Sequence, residues 1–213
     1  MLDYESKYWS KGYKNIAGID EAGRGPLAGP VVSAAVIFPE RIDLSEVNDS
    51  KKISEKKRER LFEEIFSSAI SVGIGIVHES EIDKDNILQS TYLSMRIALE
   101  NLALKPEIVL VDGNKADIKY YKQESIIKGD QKSLSIAAAS IIAKVTRDRI
   151  MKQYHLIFPE YSFYKHKGYG TKQHMKALKE HMACPIHRKS FNPVPKHLPS
   201  FSLYKRNQLI EHL

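Results

Sequence analysis

The chain has 213 residues, with 33 Lys and Arg against 26 Asp and Glu, giving a formal net charge of +7 and a pI of about 9.3. That length suits one large domain, or one domain with an appendage. A hydrophobic content of 42% with 28% charged residues excludes a disordered chain. A single cysteine, Cys184, excludes an intramolecular disulfide and a cysteine-built zinc site.

The charge is unevenly spread. From residue 144 onward there are 14 Lys and Arg against 4 Asp and Glu, a net of +10; residues 1–143 carry 19 against 22, a net of −3. Seven of the eight histidines fall in the later stretch. A cationic region beside one that holds most of the carboxylates suits a nucleic-acid partner. The N-terminal MLDYESKYWSKGYKN is polar and carries both signs of charge, unlike a signal peptide. The uncharged run within QKSLSIAAASIIAK is too short and too rich in hydroxyls to span a bilayer. The expectation is a soluble, cytoplasmic protein with no membrane association.

In chain order, IAGID (16–20) and VVSAAVIF (31–38) read as short buried strands on either side of a Gly/Pro-rich loop, and SVGIGIVHE (71–79) as a third strand. Ser54 is placed to cap a helix over SEKKRERLFEEIFSSAI, with Leu61, Ile65 and Phe66 as its apolar stripe. A second helix is predicted from about Ser80 to Leu104, ended by Pro106. EIVLVDG (107–113) reads as a strand, ESIIKGD (124–130) as a shorter one, and SLSIAAASIIAKVTRDRIM as a helix whose small residues allow close approach to a sheet. Three opening strands without helices between them predict an α/β fold with a mixed sheet that starts antiparallel. Past Pro159 the chain turns basic and aromatic, with a helix over 171–182 and another near the C-terminus. The expected division is a catalytic domain over residues 1–158 and a basic, mostly helical region over 159–213.

Four acids stand where a sheet presents side chains to a cleft: Asp20 and Glu21 at the end of the first strand, Asp112 at the end of the fourth, and Asp130 after the fifth. Converging carboxylates repel one another and call for cations. An all-oxygen donor set favours Mg²⁺ or Mn²⁺ over zinc. Such ions would stand between the acids and a phosphodiester. The loop GIDEAGRGPLAGP (18–30) contains the letters of a dinucleotide fingerprint, but a strand follows it rather than a helix, and Asp20 and Glu21 would repel a pyrophosphate. Gly23 and Gly25 instead let backbone approach a ligand around Arg24, close enough to bond the sugar hydroxyl that distinguishes RNA from DNA.

GIDEAGRGPLAGPVVSAAV resembles the signature of type 2 ribonuclease H, and the match continues through DSKKIS (49–54), VDG (111–113), KGDQKSLSIAAASIIAKVTRDR (128–149), HKGYGT (166–171) and HRKSF (187–191). The resemblance spans roughly residues 16–195 in order. It implies a ribonuclease H-like α/β domain with a helical C-terminal appendage. It also implies that Asp20, Glu21, Asp112 and Asp130 bind two divalent metal ions and carry catalysis, and that Gly23, Arg24 and Gly25 recognise the 2′-hydroxyl through backbone groups. Tyr169 would stack on the sugar at the RNA–DNA junction, and Lys51 would lie near substrate phosphates. The implied substrates are RNA–DNA hybrids and DNA duplexes containing ribonucleotides, cut 5′ of the ribonucleotide to leave 3′-hydroxyl and 5′-phosphate ends.

Lys144, Arg147 and Lys167 are expected to contact phosphates, and the chain to act as a monomer. The histidines at 166, 174, 181, 187 and 197 lack a zinc-binding arrangement and are expected at the surface or near nucleic acid; Cys184 is expected to be inert. Within the superfamily, the type 3 enzyme is disfavoured because 15 residues precede the first strand. A non-catalytic hybrid-binding module is the competing class, disfavoured because a pure binder gains nothing from clustering acids against phosphate. A nucleotide-dependent oxidoreductase ranks third, weakened by the strand that follows the glycine loop.

Overall fold

The computed structural model describes residues 1–42, 44, 46, 47 and 54–199. It divides into two compact units, one of Met1–Arg24 with Pro30–Arg149, the other of Gly25–Gly29 with the chain from Ile150 onward.

The first unit is built on five strands, β1 (Ile16–Ala22), β2 (Val31–Ile37), β3 (Ser71–Val77), β4 (Ile108–Asp112) and β5 (Gln123–Ile126), in the spatial order β3-β2-β1-β4-β5. β2 runs antiparallel to both β1 and β3, while β4 is parallel to β1 and β5 parallel to β4. This is the mixed α/β sheet with an antiparallel start that the strand order implies. The strand expected over 124–130 is cut short: the chain leaves the sheet at Ile126 and turns through a 3₁₀ segment, Gly129–Gln131.

Alternation along the strands divides the core into two layers. On one face Ala34 and Val36 meet Leu61, Phe62 and Ile65 of helix α2 (Glu55–Ser68), together with Ala137, Ala138 and Ile141 of helix α4 (Leu134–Ile157). On the other face Ala17, Ile19, Ala35 and Ile37 meet Met95, Ala98 and Leu99 of helix α3 (Glu79–Glu100). Ser54 caps α2 by accepting from the Lys57 N–H at 3.2 Å. Phe62 completes the buried stripe instead of Phe66, which is 42% exposed and leans on the Phe62 ring at 4.8 Å. In α3 the helix breaks at Asn86 (φ +68°), whose side chain accepts from the Leu88 and Gln89 N–H groups and so caps the second half.

Gly18 fixes the depth at which α4 lies on the sheet. A Cβ there would stand 2.2 Å from the Ser135 carbonyl carbon and 2.3 Å from the Ile136 nitrogen, so strand and helix meet backbone to backbone. The start of that helix is capped by a residue from a short N-terminal helix, α1 (Asp3–Trp9), which sequence periodicity does not reveal. Buried Glu5 accepts from the Ser133 hydroxyl at 2.6 Å, the Ser135 N–H at 3.0 Å and the Ser135 hydroxyl. A carboxylate at a helix N-terminus satisfies orphan N–H groups and complements the helix dipole.

The second unit gathers Ala28 with Met151, Tyr161, Phe163, Ala177 and Ile186, and Leu27 with Leu178 and Val194. It contains helices α5 (Phe163–His166) and α6 (Lys172–His181), the latter capped by Thr171, which accepts from the His174 N–H. The helix expected near the C-terminus falls largely outside the described residues. No helix among the described residues is long and apolar enough to cross a membrane.

Glu5→Ala strands two buried hydroxyls and an amide, so it is expected to cost about 2–3 kcal/mol. Urea unfolding followed by circular dichroism should show the loss, with Glu5→Gln intermediate.

Candidate active site

The parallel pairing of β1 and β4 sets Ile19 opposite Val111, so the next residues, Asp20 and Asp112, leave neighbouring strands at the same level. Alternation sends both toward the α4 side of the sheet, because Ile16, Leu110 and Ile108 pack there with Ile136 of α4, whereas Ile19 and Val111 pack against α3. Asp20 is 6% exposed. Its Oδ1 accepts from the Glu21 N–H at 2.7 Å, and the Ser140 hydroxyl of α4 donates to it. The Gly129 N–H donates to Asp112 Oδ1 at 2.7 Å, which ties the 3₁₀ turn holding buried Asp130 to the end of β4. Glu21 pairs with Arg24 at 3.1 Å.

Asp20, Glu21 and Asp112 act on one another through their charges. Burial, then the neighbouring charges of Glu21 and Asp112, hold the Asp20 carboxyl well above the ordinary range against the opposing Ser140 hydrogen bond. Burial also raises Glu21, with Arg24 pulling the other way and Asp112 adding to the rise. Among the described residues no group of three or more His, Cys, Asp or Glu side chains is already arranged to hold a metal ion. The acids therefore stand near enough to repel without forming a finished coordination sphere. Their chemistry still fits a hard divalent cation, which takes oxygen donors and would relieve the buried repulsion.

In the same unit Gly23 (φ +98°) adopts a conformation that side chains resist, and a Cβ there would lie 2.1 Å from Arg147 Nε. Arg147 is 1% exposed and donates through Nε to the Pro30 carbonyl at 2.9 Å. In the second unit, residues 25–29 are held by two of the sequence blocks named above. The Leu27 N–H donates to the Gly168 carbonyl and the Gly29 N–H to the Ile186 carbonyl, both at 2.8 Å. Buried Arg188 donates to the Gly29 carbonyl through Nε at 3.0 Å and Nη2 at 2.8 Å. Tyr169, 46% exposed, brings its ring edge to 3.7 Å from the Cβ position of Gly25.

Residues 17–194 match the family model for ribonuclease HII. The chain belongs to the ribonuclease HII family. It is 56% identical over 191 residues to the ribonuclease HII of Acetivibrio thermocellus, covering 90% of this chain and 75% of that one. It is 52% identical over 198 residues to the ribonuclease HII of Geotalea daltonii, covering 93% and 92%. The crystal structure of ribonuclease H2 from Pyrococcus horikoshii superposes with a TM-score of 0.75 at 28% identity, covering 85% of this chain and 96% of that one. The fold is accordingly ribonuclease H-like.

Against that family background, two expectations need correction, those for Arg147 with Lys167 and for the histidines. Arg147 and Lys167 are buried rather than presented to solvent: Arg147 bonds the Pro30 carbonyl and Lys167 the Tyr164 carbonyl, because a cation taken out of water must find acceptors. Lys144 is half-buried and paired with Asp148 at 2.6 Å. His166, His174 and His187 are buried in the second unit rather than lying at its surface; His181 is exposed. Lys51 lies outside the described residues. Sequence reasoning missed Ser140 and Arg188 as supports, though Arg147 falls one turn after fully buried Ala143 on α4, a stripe that forecasts its burial.

A carboxylate raised by burial weakens the fold as pH climbs from its ordinary value through its folded one, since the unfolded chain loses the proton first. Asp20→Asn is therefore expected to raise the melting temperature above pH 7, by about 2–4 °C for each kcal/mol recovered, and to flatten that part of the pH profile. A melting temperature unchanged or lowered across the pH series would contradict the buried-charge account.

Proposed function

We propose that the chain is an endoribonuclease that hydrolyses the RNA strand of RNA–DNA hybrids and cuts 5′ of single ribonucleotides embedded in duplex DNA. Water attacks the phosphorus, the bond to the 3′-oxygen breaks, and 3′-hydroxyl and 5′-phosphate ends remain. Family membership supports the reaction class. The observation that carries the reading is buried Asp20, with the charges of Glu21 and Asp112 acting on it at the ends of adjoining parallel strands. Unneutralised, that cluster would repel a phosphodiester.

Asp20, Glu21, Asp112 and Asp130 are the residues that would hold two divalent ions, Mg²⁺ or Mn²⁺. Bound there, such ions supply Lewis-acid stabilisation of the attacking and leaving oxygens. The chain's own part is orientation: the Ser140 hydroxyl and the Glu21 N–H fix Asp20, and the Gly129 N–H fixes Asp112. Backbone groups of Gly23, Arg24 and Gly25 read the 2′-hydroxyl, and Tyr169 stacks on the junction sugar. With Arg147 and Lys167 buried, phosphate contacts pass to exposed lysines, namely Lys165, Lys172, Lys176, Lys179, Lys189 and Lys196, which would make binding salt-dependent.

The test is cleavage of an end-labelled DNA duplex containing one ribonucleotide, with Mg²⁺, Mn²⁺ or EDTA. The expected result is one metal-dependent cut on the 5′ side, lost in Asp20→Asn and in Asp112→Asn while hybrid binding persists. Vigorous cleavage by either variant would remove the ligand assignment, and cleavage of long hybrid alone would remove the junction reading. Mg²⁺ should also raise the melting temperature of the parent more than that of either variant, because a ligand stabilises the state that binds it.

A further inference from the structure

The buried histidines of the second unit form a hydrogen-bonded line whose proton order is set from its Tyr169 end. At one end His174 Nδ1 lies 3.0 Å from the Tyr169 carbonyl. A carbonyl can only accept, so Nδ1 carries the proton. At the other end the Cys184 N–H donates to His187 Nδ1 at 3.0 Å. The same nitrogen lies 3.1 Å from the Cys184 thiol and 3.3 Å from the Cys184 carbonyl, which could only accept from it, so the proton order there is decided by the other ring. The two rings meet through Nε2 and Nε2 at 3.0 Å. His174, protonated at Nδ1, is bare at Nε2, so this contact is a hydrogen bond from His187 Nε2 to His174. Neutral His187 is left bare at Nδ1 to accept from the Cys184 N–H, the nearer of its two backbone neighbours there. A proton added to His174 at Nε2 would break the bond between the two rings. Burial lowers both imidazoles to about 4, so both are neutral at pH 7.

The line ends on the peptide of Tyr169. The Tyr169 N–H donates to the His166 carbonyl at 2.9 Å, and its own carbonyl also accepts from the Thr171 N–H at 2.8 Å. His166 stacks on His174 with centroids 4.6 Å apart and planes at 12°. The Tyr169 backbone is thus tied on both sides while its ring stays half exposed beside Gly25.

We propose that the neutral chain Cys184–His187–His174 is a positioning device for Tyr169, ending on its carbonyl and holding the ring beside Gly25. This rests on the reading of Tyr169 as the junction-stacking residue. His174 and His187 are positioning residues, acting on the substrate only through Tyr169.

The experiment compares kcat/KM on a duplex with one ribonucleotide to kcat/KM on a long RNA–DNA hybrid, a ratio from which the folded fraction cancels. Tyr169→Ala is expected to lower the ratio, and His174→Ala to lower it roughly tenfold, the scale of a small misplacement of a substrate-positioning group. His174→Asn, whose amide nitrogen can replace Nδ1, should recover most of it; His174→Gln should not. A ratio unchanged in His174→Ala but lowered in Tyr169→Ala overturns the positioning role and leaves the stacking reading standing. A ratio unchanged in Tyr169→Ala overturns both. Should the alanine variant fail to fold, the ¹⁵N spectrum of the parent full-length chain decides. Protonation of His174 at Nδ1 and of His187 at Nε2 supports the chain; the opposite tautomer, or a cationic ring at pH 7, overturns it.

Discussion

The contact at Gly18 governs where the acids meet. With no side chain at that position, the backbone of α4 touches β1 beside Ser135 and Ile136. From Gly18 to Asp20 the strand advances two residues, about 6.6 Å. From Ser135 to Ser140 the helix advances five residues, about 7.5 Å. The two elements therefore keep step, and the hydroxyl of Ser140 arrives level with the carboxylate it bonds. Any side chain at 18 would lift the helix and separate that pair. Glu5 secures that same end of the helix, holding Ser133 and Ser135 where the helix begins.

The two units handle buried charge in opposite ways. The first keeps acids together against their repulsion, so Asp20 stays proton-hungry until something positive arrives. The second keeps its central histidines neutral and rests its buried cations, Arg188 and Lys167, on backbone carbonyls. The +10 counted from residue 144 onward thus overstates the charge that solvent or a polyanion meets there. The exposed lysines on and around α6 carry what remains.

The strands were legible because their signal is local: short β-branched runs bounded by Gly and Pro, in an order that admits an antiparallel start. The acids were legible because strand ends are where a sheet offers side chains. Helix α1 escaped notice because it is seven residues long and its buried residue, Glu5, is charged, although Tyr4 and Tyr8, one turn apart, pack on the core. The break at Asn86 escaped because a helix resumes at once on either side of it. The histidine line was half legible. His174, Ala177 and Leu178 are buried at i, i+3 and i+4 on α6, a pattern that places His174 on the apolar face. Its partner, His187, comes from irregular chain thirteen residues later, and no periodicity joins the two.

The segment from Gly23 to Pro30 shows why arginine stands at two buried positions. In the first unit Arg147 bonds the carbonyl of Pro30; in the second, Arg188 bonds the carbonyl of Gly29 with two nitrogens. These bonds settle the peptide orientations of the segment before any ligand arrives, whereas a mobile peptide would spend its hydrogen bonds on water. Lysine could reach one such carbonyl as a point charge, but the planar fork of arginine fixes direction as well as distance. Arg147 and Arg188, both fully buried, thus lend that geometry to the backbone of this segment.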